Sequence, residues 1–356
     1  MRTLDRYLGI NFIQGLLLVI LVLVSLFSFL ELVIQLDDVG KGNYQALEAF
    51  VFVGLTLPKR IIDMLPISAL LGSIIGLGML AERGELLAMR AAGLSVSRIC
   101  VSVLAAAGLL MVASAALTQF VVPQLEQYAH GRRSLAVSGS SGITLTQQGF
   151  WARHGSSFIR VGIILSGGLA ADVDIYERNQ DGLLRAFIHA GEADIHQDGR
   201  WTLKDIYKKV IEEQGISTEY LPSLTIDSFF NKDQVSVFEL PPESLSPSHL
   251  YLYIKALRER GQNVDNYNLA LWQKLVMPLT TAAMVLLALP FVFGPPRGRT
   301  VGFRITMGAM VGIGFYLANQ IIGYLGLLFE LPAPLTTLTP LALILGIAIW
   351  RLRQAP

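Results

Sequence analysis

Charge is scarce in this chain of 356 residues: 15% of them are Asp, Glu, Lys or Arg, against 53% hydrophobic. A soluble domain carries about 25% charged residues, and the mean hydropathy of +0.52 points the same way. The formal net charge of +1 excludes a nucleic-acid binder driven by bulk positive charge. A single cysteine, Cys100, excludes internal disulfides and any cysteine-rich metal site. The five histidines, at 130, 154, 189, 196 and 249, show no metal-ligand spacing, so no metal site is expected. The phosphate-cradling loop of an ATPase ends in Gly-Lys-Ser/Thr, but the one Gly-Lys pair here, Gly40-Lys41, runs on into Gly42. A Gly-x-Ser-x-Gly elbow and a His-Glu-x-x-His helix are absent too. An enzyme is therefore disfavoured, and any energised work must draw on a partner.

What the chain does have is long apolar runs. Residues 10–36 are long enough to cross a hydrocarbon core of about 30 Å with some tilt. A cleavable signal has a shorter apolar core and a small-residue cleavage site; Glu31, Gln35, Asp37 and Asp38 follow instead, so this reads as a permanent first span. Residues 46–80 exceed one plain span. Pro58-Lys59-Arg60 interrupts them, which puts the crossing part at about 61–80, with 46–57 continuing the helix or lying at the interface. A polar stretch at 81–98 precedes a third span over 99–122. Three more spans, at 269–294, 301–325 and 335–350, close the chain.

Between them, residues 123–268 hold most of the charge, short apolar runs and turn signals at His154-Gly155, Asp181-Gly182 and Asp198-Gly199. Segments 158–161, 173–176, 184–188 and 201–210 are β-rich, which suggests an all-β sandwich or jelly roll, and 248–261 reads as a helix returning to the bilayer. Phe158 and Ile175 are expected on the inner face of this domain, and Trp151 and Trp201 in its core. The fold class expected is thus an α-helical membrane protein with six transmembrane helices and an inserted all-β, jelly-roll-like domain. It has helices 1–3 in 1–122, the β domain in 123–268 and helices 4–6 in 269–356. Arg2, Arg6, Arg83, Arg90, Arg98, Arg297, Arg299, Arg304, Arg351 and Arg353 fall on one side in the short loops, and only Lys41, Lys59 and Arg60 on the other. By the positive-inside rule both termini are cytoplasmic and the β domain lies outside.

Three sets of residues are candidates for function. In the cytoplasmic segment 81–93, Glu85, Met89 and Ala92 recur at helical spacing, as do Leu86 and Arg90, and Gly93 suits a helix end. A short amphipathic helix there can dock into a soluble subunit through Glu82, Arg83, Glu85, Leu86, Met89 and Arg90. The plain alternative is a solvated loop with snorkelling arginines. Near the outer face stand Lys41, Lys59, Arg60, His130, Arg132 and Arg133, suited to anionic headgroups or phosphates, or to ordinary interfacial anchoring. Glu31, Asp37 and Asp38 lie close enough to neutralise part of this field, or to pair with Lys41 and Arg60. Within the spans, Gly72-x-x-x-Gly76 and Gly308-x-x-x-Gly312 allow close helix approach, within the chain or between subunits. Asn319 and Gln320 are placed at a helix seam or cavity, and Cys100 reads as a small apolar filler.

Several strings, taken in order, carry a resemblance. They are Leu4-Asp5-Arg6-Tyr7-Leu8-Gly9, Leu71-Gly72 through Gly78-Met79-Leu80-Ala81, Glu85-Leu86 to Ala92-Gly93, Thr146-Gln147-Gln148-Gly149-Phe150-Trp151-Ala152, and Phe293-Gly294-Pro295 ahead of Arg297. With the three–β–three layout, the chain resembles the LptF/LptG permeases of the bacterial lipopolysaccharide exporter over essentially its whole length, with details nearer the LptG branch. The resemblance implies a permease subunit in the bacterial inner membrane with its β domain in the periplasm. It implies a heterodimer with the LptF permease, an LptB ATPase dimer that binds ATP and Mg, the single-span LptC, and lipopolysaccharide as substrate. This chain itself would hold no cofactor. Lipopolysaccharide would enter a cavity lined mainly by spans one, two and five, and Phe27 and Leu30 join Asn319 and Gln320 as candidates for that cavity or seam. The segment 81–93 matches the coupling helix, with Glu85 at its acidic contact to the ATPase. Lys59 and Arg133 match basic positions facing lipid phosphates, and His130 stands where relatives often have arginine. At Glu31, Asp37 and Asp38 some relatives carry lysines, so recognition here would fall to Lys41, Arg60 and Arg132 or to the partner. The alternative is a membrane-anchored scaffold that recruits periplasmic partners without transport.

Overall fold

A computed structural model describes all residues except 1, 139–142, 147–148, 155–156, 166–168, 180–182, 197–199, 213–214, 228–240, 260–262, 294–300 and 354–356. Gly155, the turns at 181–182 and 198–199, Gly261, Gly294, Arg297 and Arg299 lie outside the described residues. The helices are α1 (Arg2–Leu36), α2 (Ala46–Glu82), α3 (Glu85–Ala91), α4 (Val96–Ala116), a π-helical turn (Leu117–Val121), α5 (Val122–Ser138), α6 (Pro247–Glu259), α7 (Asp265–Phe293), α8 (Val301–Leu328) and α9 (Ala333–Arg353). Six helical stretches are long and apolar enough to cross a membrane, as expected. The chain divides into two compact units, one of residues 1–30, 57–122 and 246–356, the other of 31–56 and 123–245.

In the first unit α2 is the central helix. Of its most apolar window 78% is buried, against 11% for α1 and 17% for α8. One side of α2 receives α1 backbone to backbone. A Cβ on Gly72 would lie 2.5 Å from the Cα of Leu16, one on Gly76 2.3 Å from the carbonyl oxygen of Asn11, and one on Gly15 2.3 Å from that of Gly72. The other side receives α8, whose Gly308 and Gly312 sit against Ile67, Leu70, Leu71 and Ile74. Both small-residue motifs are therefore spent on packing within the chain, in the order α1, α2, α8. A second buried cluster joins Leu8, Phe12 and Leu16 to Leu77 and Leu80 of α2, Ile99, Cys100 and Val103 of α4, and Val285 and Leu289 of α7. Cys100 is the buried filler expected.

α2 takes the first of the two courses open to residues 46–57 and is one continuous helix through Pro58 and Pro66. Around Pro58 the Thr56 hydroxyl bonds the carbonyl of Val53 at 3.2 Å, and leaving backbone groups unpaired in lipid is costly enough to keep such a segment helical. The third span likewise continues past 122. Residues 122–138, read as the start of the β domain, are α5, and the strands occupy 143–227. Pro123 has no N–H and its ring crowds the preceding turn. The π-helical turn just before it widens the helix there, with the Val122 N–H donating to the carbonyl of Leu117.

The second unit contains a seven-stranded antiparallel sheet whose strands pair in chain order, a meander. They are β1 (Ile143–Thr146), β2 (Gly149–His154), β3 (Ser157–Leu165), β4 (Leu169–Arg178), β5 (Leu184–Ile195), β6 (Arg200–Glu212) and β7 (Gly215–Asp227). The inserted domain is all-β, as expected. β7 carried no clear signal in the sequence, because Pro222 interrupts its alternation. One face of the sheet is aliphatic and buried. Val161, Val173, Ala190 and Ile206 stand in one row across β3 to β6, with Leu221 next to them on β7. The buried cluster and the side chains packed on it all belong to this sheet, so among the described residues the strands wrap their own apolar face.

A crease crosses five of these strands. Gly162, Asp172, Gly191, Asp205 and Pro222 stand opposite one another, and the pairing skips that row between every two neighbours. Asp172 and Asp205 have φ of 58° and 53°, the left-handed region that aspartate tolerates better than most side chains. At this row the buried set changes phase: Ile159 and Val161 before it but Ile164 after it, Ile188 and Ala190 but Ala193 and Ile195. One extra residue per strand thus keeps the same face apolar on both sides of the crease.

The α1–α2 contact sets the first test. Gly72→Ala must separate two backbones and is expected to cost about 1–3 kcal/mol, as overpacking does. Gly78→Ala, with open space around its Cβ, is expected to be neutral or stabilising by up to about 1 kcal/mol. Unfolding of the purified protein in mild detergent checks the contrast.

Candidate functional site

The basic residues near the α1–α2 loop come to lie in ion pairs. In the second unit Asp38 is held by Lys41 at 2.6 Å and by Arg133 of α5, while Arg132 binds Glu48 of α2 at 2.7 Å. The loop is fixed on α5 at the backbone as well. The Asn43 N–H donates to the carbonyl of Ala136 at 2.7 Å, and Gly42, at φ 55°, lies so close that a Cβ would meet the carbonyl of Val137. Buried Tyr44 donates to Gln35 at 3.2 Å, and Gln35 donates to Glu31 at 2.8 Å. His130 packs edge-on to Phe52 at 5.4 Å and stands 3.6 Å from buried Glu126. In the first unit Lys59 is 3.7 Å from Asp63, and Arg60 donates to the carbonyl of Phe27 at 3.0 Å.

In the second unit the expected phosphate contacts therefore each stand beside an acid. Of the acids that cast doubt on them, Asp38 does pair with Lys41, and it also holds Arg133. Lys41 is the cation of this set most open to solvent. A phosphate could reach it only alongside Asp38. The Lys41 and Arg133 hydrogen bonds hold the Asp38 carboxyl below its ordinary range.

The cytoplasmic segment forms the expected helix, α3, although at seven residues it is shorter than the run 81–93. Leu86 is 3% exposed and packs with Leu8, Leu80 and Ile99, so it faces the protein's own core. Its neighbour Leu87 is 70% exposed and is the apolar side chain offered outward; helical spacing alone did not single it out. Glu82 and Arg83 are exposed, and Glu85, Met89 and Arg90 half-buried. Arg83 lies 4.0 Å from Glu85, and the Tyr7 hydroxyl of α1 donates to Glu85 at 2.7 Å.

Of the seam candidates, Phe27 and Leu30 of α1 are exposed, Asn319 of α8 is half-buried and Gln320 exposed. They line open apolar faces and do not enter a closed core. α1 also exposes Leu17, Leu18, Leu21, Phe29 and Val33, and α8 exposes Met310, Ile313, Tyr316, Leu317 and Ile321.

Two expectations for the sheet are corrected by its register. Phe158 pairs with Tyr176 and Ile159 with Ile175, so Phe158 and Ile175 stand on opposite faces. Trp201 is fully buried as expected, but Trp151 stacks on Tyr176 at 5.4 Å on the face that carries Phe158. On that face Arg160 bridges Asp174 at 2.7 Å and Asp172 at 2.8 Å, and His189 binds Asp174 at 2.7 Å. Asp172, Asp174 and His189 are close enough to ligate an ion, yet the guanidinium already neutralises one of the two carboxylates. The sequence positions of these groups, on three strands, gave no hint of the cluster.

Six spanning helices, an inserted β domain and a short exposed helix between two spans define a multi-pass membrane protein of the permease class. Residues 6–354 match the family described as the Lipopolysaccharide export system permease LptF/LptG, and the chain belongs to that family. It is 36% identical to the lipopolysaccharide export system permease protein LptG of Haemophilus influenzae over 355 residues, 99% of each chain. To the protein of the same name in Escherichia coli K12 it is 34% identical over 359 residues, covering 99% of this chain and 98% of the relative.

The Asp38 cluster makes a pH prediction. Because the folded carboxyl titrates below its unfolded value, its contribution is complete above the ordinary carboxylate range and is lost as pH falls through the lowered value. Asp38→Asn is expected to cost about 1 kcal/mol at pH 7, the low end for charge-assisted bonds at partly exposed sites. The difference from the unsubstituted protein should hold constant down to about pH 5 and close below about pH 4. Thermal unfolding across pH measures it.

Proposed function

We propose that this chain is the LptG-type permease subunit of an ATP-driven lipopolysaccharide exporter. The observation that carries the reading is the layer α1, α2, α8, in which α2 is buried and its two neighbours turn apolar surfaces outward. A lipid with several acyl chains needs a wide apolar wall more than a polar pore. Spans one and five, flanking buried span two, present such a wall, with few ionisable groups to oppose hydrocarbon. A second permease of the same family, an LptF subunit, would face this wall and close the cavity. The aliphatic face of the β domain, which the charge bias of the short loops favours on the periplasmic side, would take up the acyl chains as they leave the membrane and pass them to a domain of LptC.

Energy would come from an LptB dimer, which holds ATP and Mg, docked on α3. Leu87 supplies the apolar knob and Glu85 an acidic contact for a basic side chain of the ATPase. Of the phosphate candidates, Lys41 is the one best placed to meet a headgroup. The scaffold alternative gives no reason for an exposed leucine beside an acid on a loop helix between spans.

Two measurements test this reading. Charge reversal by Glu85→Lys is expected to abolish co-purification of the ATPase while the permease still folds; retained association places the docking surface elsewhere. Photo-crosslinking probes at Leu221 and Leu224, half-buried on the aliphatic face, should capture lipopolysaccharide only when ATP is hydrolysed. A probe at Tyr220, exposed on the other face, should not. Absence of adducts from both leucines in an intact complex would mean that the lipid bypasses this domain.

A further inference from the structure

The docking helix α3 is joined to the spans by two turns, and both are compliant. Before it, Gly84 takes φ 76° and offers no side-chain cap; after it, Gly93 takes φ 90°. A helix of seven residues on such turns would transmit little if its only attachments were covalent. It has others, and one reaches its acid from the first turns of α1. Tyr7 donates its hydroxyl to Oε2 of Glu85 at 2.7 Å. Two residues earlier, Asp5 receives the Arg98 guanidinium in two bonds of 3.0 and 2.8 Å, and the Ser102 hydroxyl as well. Arg98 and Ser102 belong to α4, the helix that follows α3, and Ser102 also bonds the carbonyl of Arg98 at 3.0 Å. Leu86 and Leu8 share the buried cluster beneath. The start of α1 thus holds the docking helix at its acid and the next span at its first turn.

The carboxylate of Glu85 is divided in use. Oε2 accepts from Tyr7, and Oε1 is 4.0 Å from Arg83 on a side chain that is partly exposed. A cation arriving there would bind an acid that is already tied to the first span. A few turns further along, α1 is locked backbone to backbone onto α2 at Gly15, Gly72 and Gly76. A displacement of α1 must therefore carry α2 with it.

We propose that Tyr7 is a positioning residue for coupling: its hydroxyl ties Glu85 to α1, so that movement imposed on the docking helix reaches the substrate-facing first span directly, bypassing the Arg83–Gly84 turn. This rests on the reading of α3 as the ATPase-docking helix. Asp5 completes the clamp by keeping α4 in step with α1.

The test uses the assembled permease–ATPase complex in liposomes containing lipopolysaccharide, with Tyr7→Phe, which removes the hydroxyl and keeps the ring. ATPase co-purification is expected to persist, while lipopolysaccharide delivered per ATP hydrolysed falls about three- to tenfold, the effect of losing one charge-assisted bond at a half-exposed site. Glu85→Gln retains an oxygen that can accept from Tyr7. It is expected to weaken association more than Tyr7→Phe does, yet to keep the delivery ratio in the complexes that form. An unchanged ratio in Tyr7→Phe overturns the proposal. A parallel fall of hydrolysis and delivery also overturns it, since a purely structural role predicts that. If Glu85→Lys keeps its ATPase, the docking reading itself fails, and that outcome is visible without reference to Tyr7.

Discussion

No side chain can be added to Gly15, Gly72 or Gly76 without pushing α1 and α2 apart, and the arrangement of the membrane helices follows from that contact. Lipid chains are as apolar as leucine, so helices in a bilayer gain little from hiding apolar surface and associate through close packing. Three glycines let two backbones meet, and the neighbouring side chains, Phe12 and Leu16 among them, then close on α4 and α7. With its other side filled by Gly308 and Gly312 of α8, α2 keeps little surface for lipid along its most apolar stretch. α1 and α8 keep more, and turn leucines, isoleucines and phenylalanines outward.

The β domain meets a different solvent and uses a different device. A single sheet with one aliphatic face in water must curl over that face. The strands here do so with a row of paired irregularities in place of scattered bulges. Asp172 and Asp205 accept left-handed backbone, Gly162 and Gly191 leave room opposite them, and each strand gains one residue at the same level. A strand that gained that residue alone would present polar side chains to the apolar interior beyond the crease. Because all five gain it together, Ile164, Ala170, Ala193, Leu203 and Leu224 continue the face that Val161, Val173, Ala190, Ile206 and Leu221 begin.

Charge is handled by pairing in both units. Asp38 gathers Lys41 and Arg133, Glu48 takes Arg132, Asp5 takes Arg98, and Arg160 joins two aspartates. In a chain with 15% charged residues each such pair lets a loop or helix end be fixed without stranding a charge near apolar surface. The basic residues near the α1–α2 loop then act first as fasteners of that loop, and any headgroup must compete with acids already in place.

The sequence by itself determined the number of spans, the place of the β insertion between the third and fourth, and the charged break at 81–93 where a short helix was one of two readings, because hydropathy over long runs and a charged break between them are local properties. It also carried the family, through strings spread along the whole chain. What it left undecided depends on partners far apart in sequence. Periodicity offered Leu86 as the outward apolar contact, and only the packing of Leu8, Leu80 and Ile99 showed that it turns inward and leaves Leu87 outside. Phe158 and Ile175 were expected on one face, but which residues of β3 and β4 stand opposite each other is set by the pairing register and cannot be read from either strand alone. The cations at 41, 132 and 133 read as a patch until Asp38 and Glu48 were brought against them. Ion pairs, sheet register and helix contacts are set by where the backbone returns in space, and that is fixed only when the whole chain has packed.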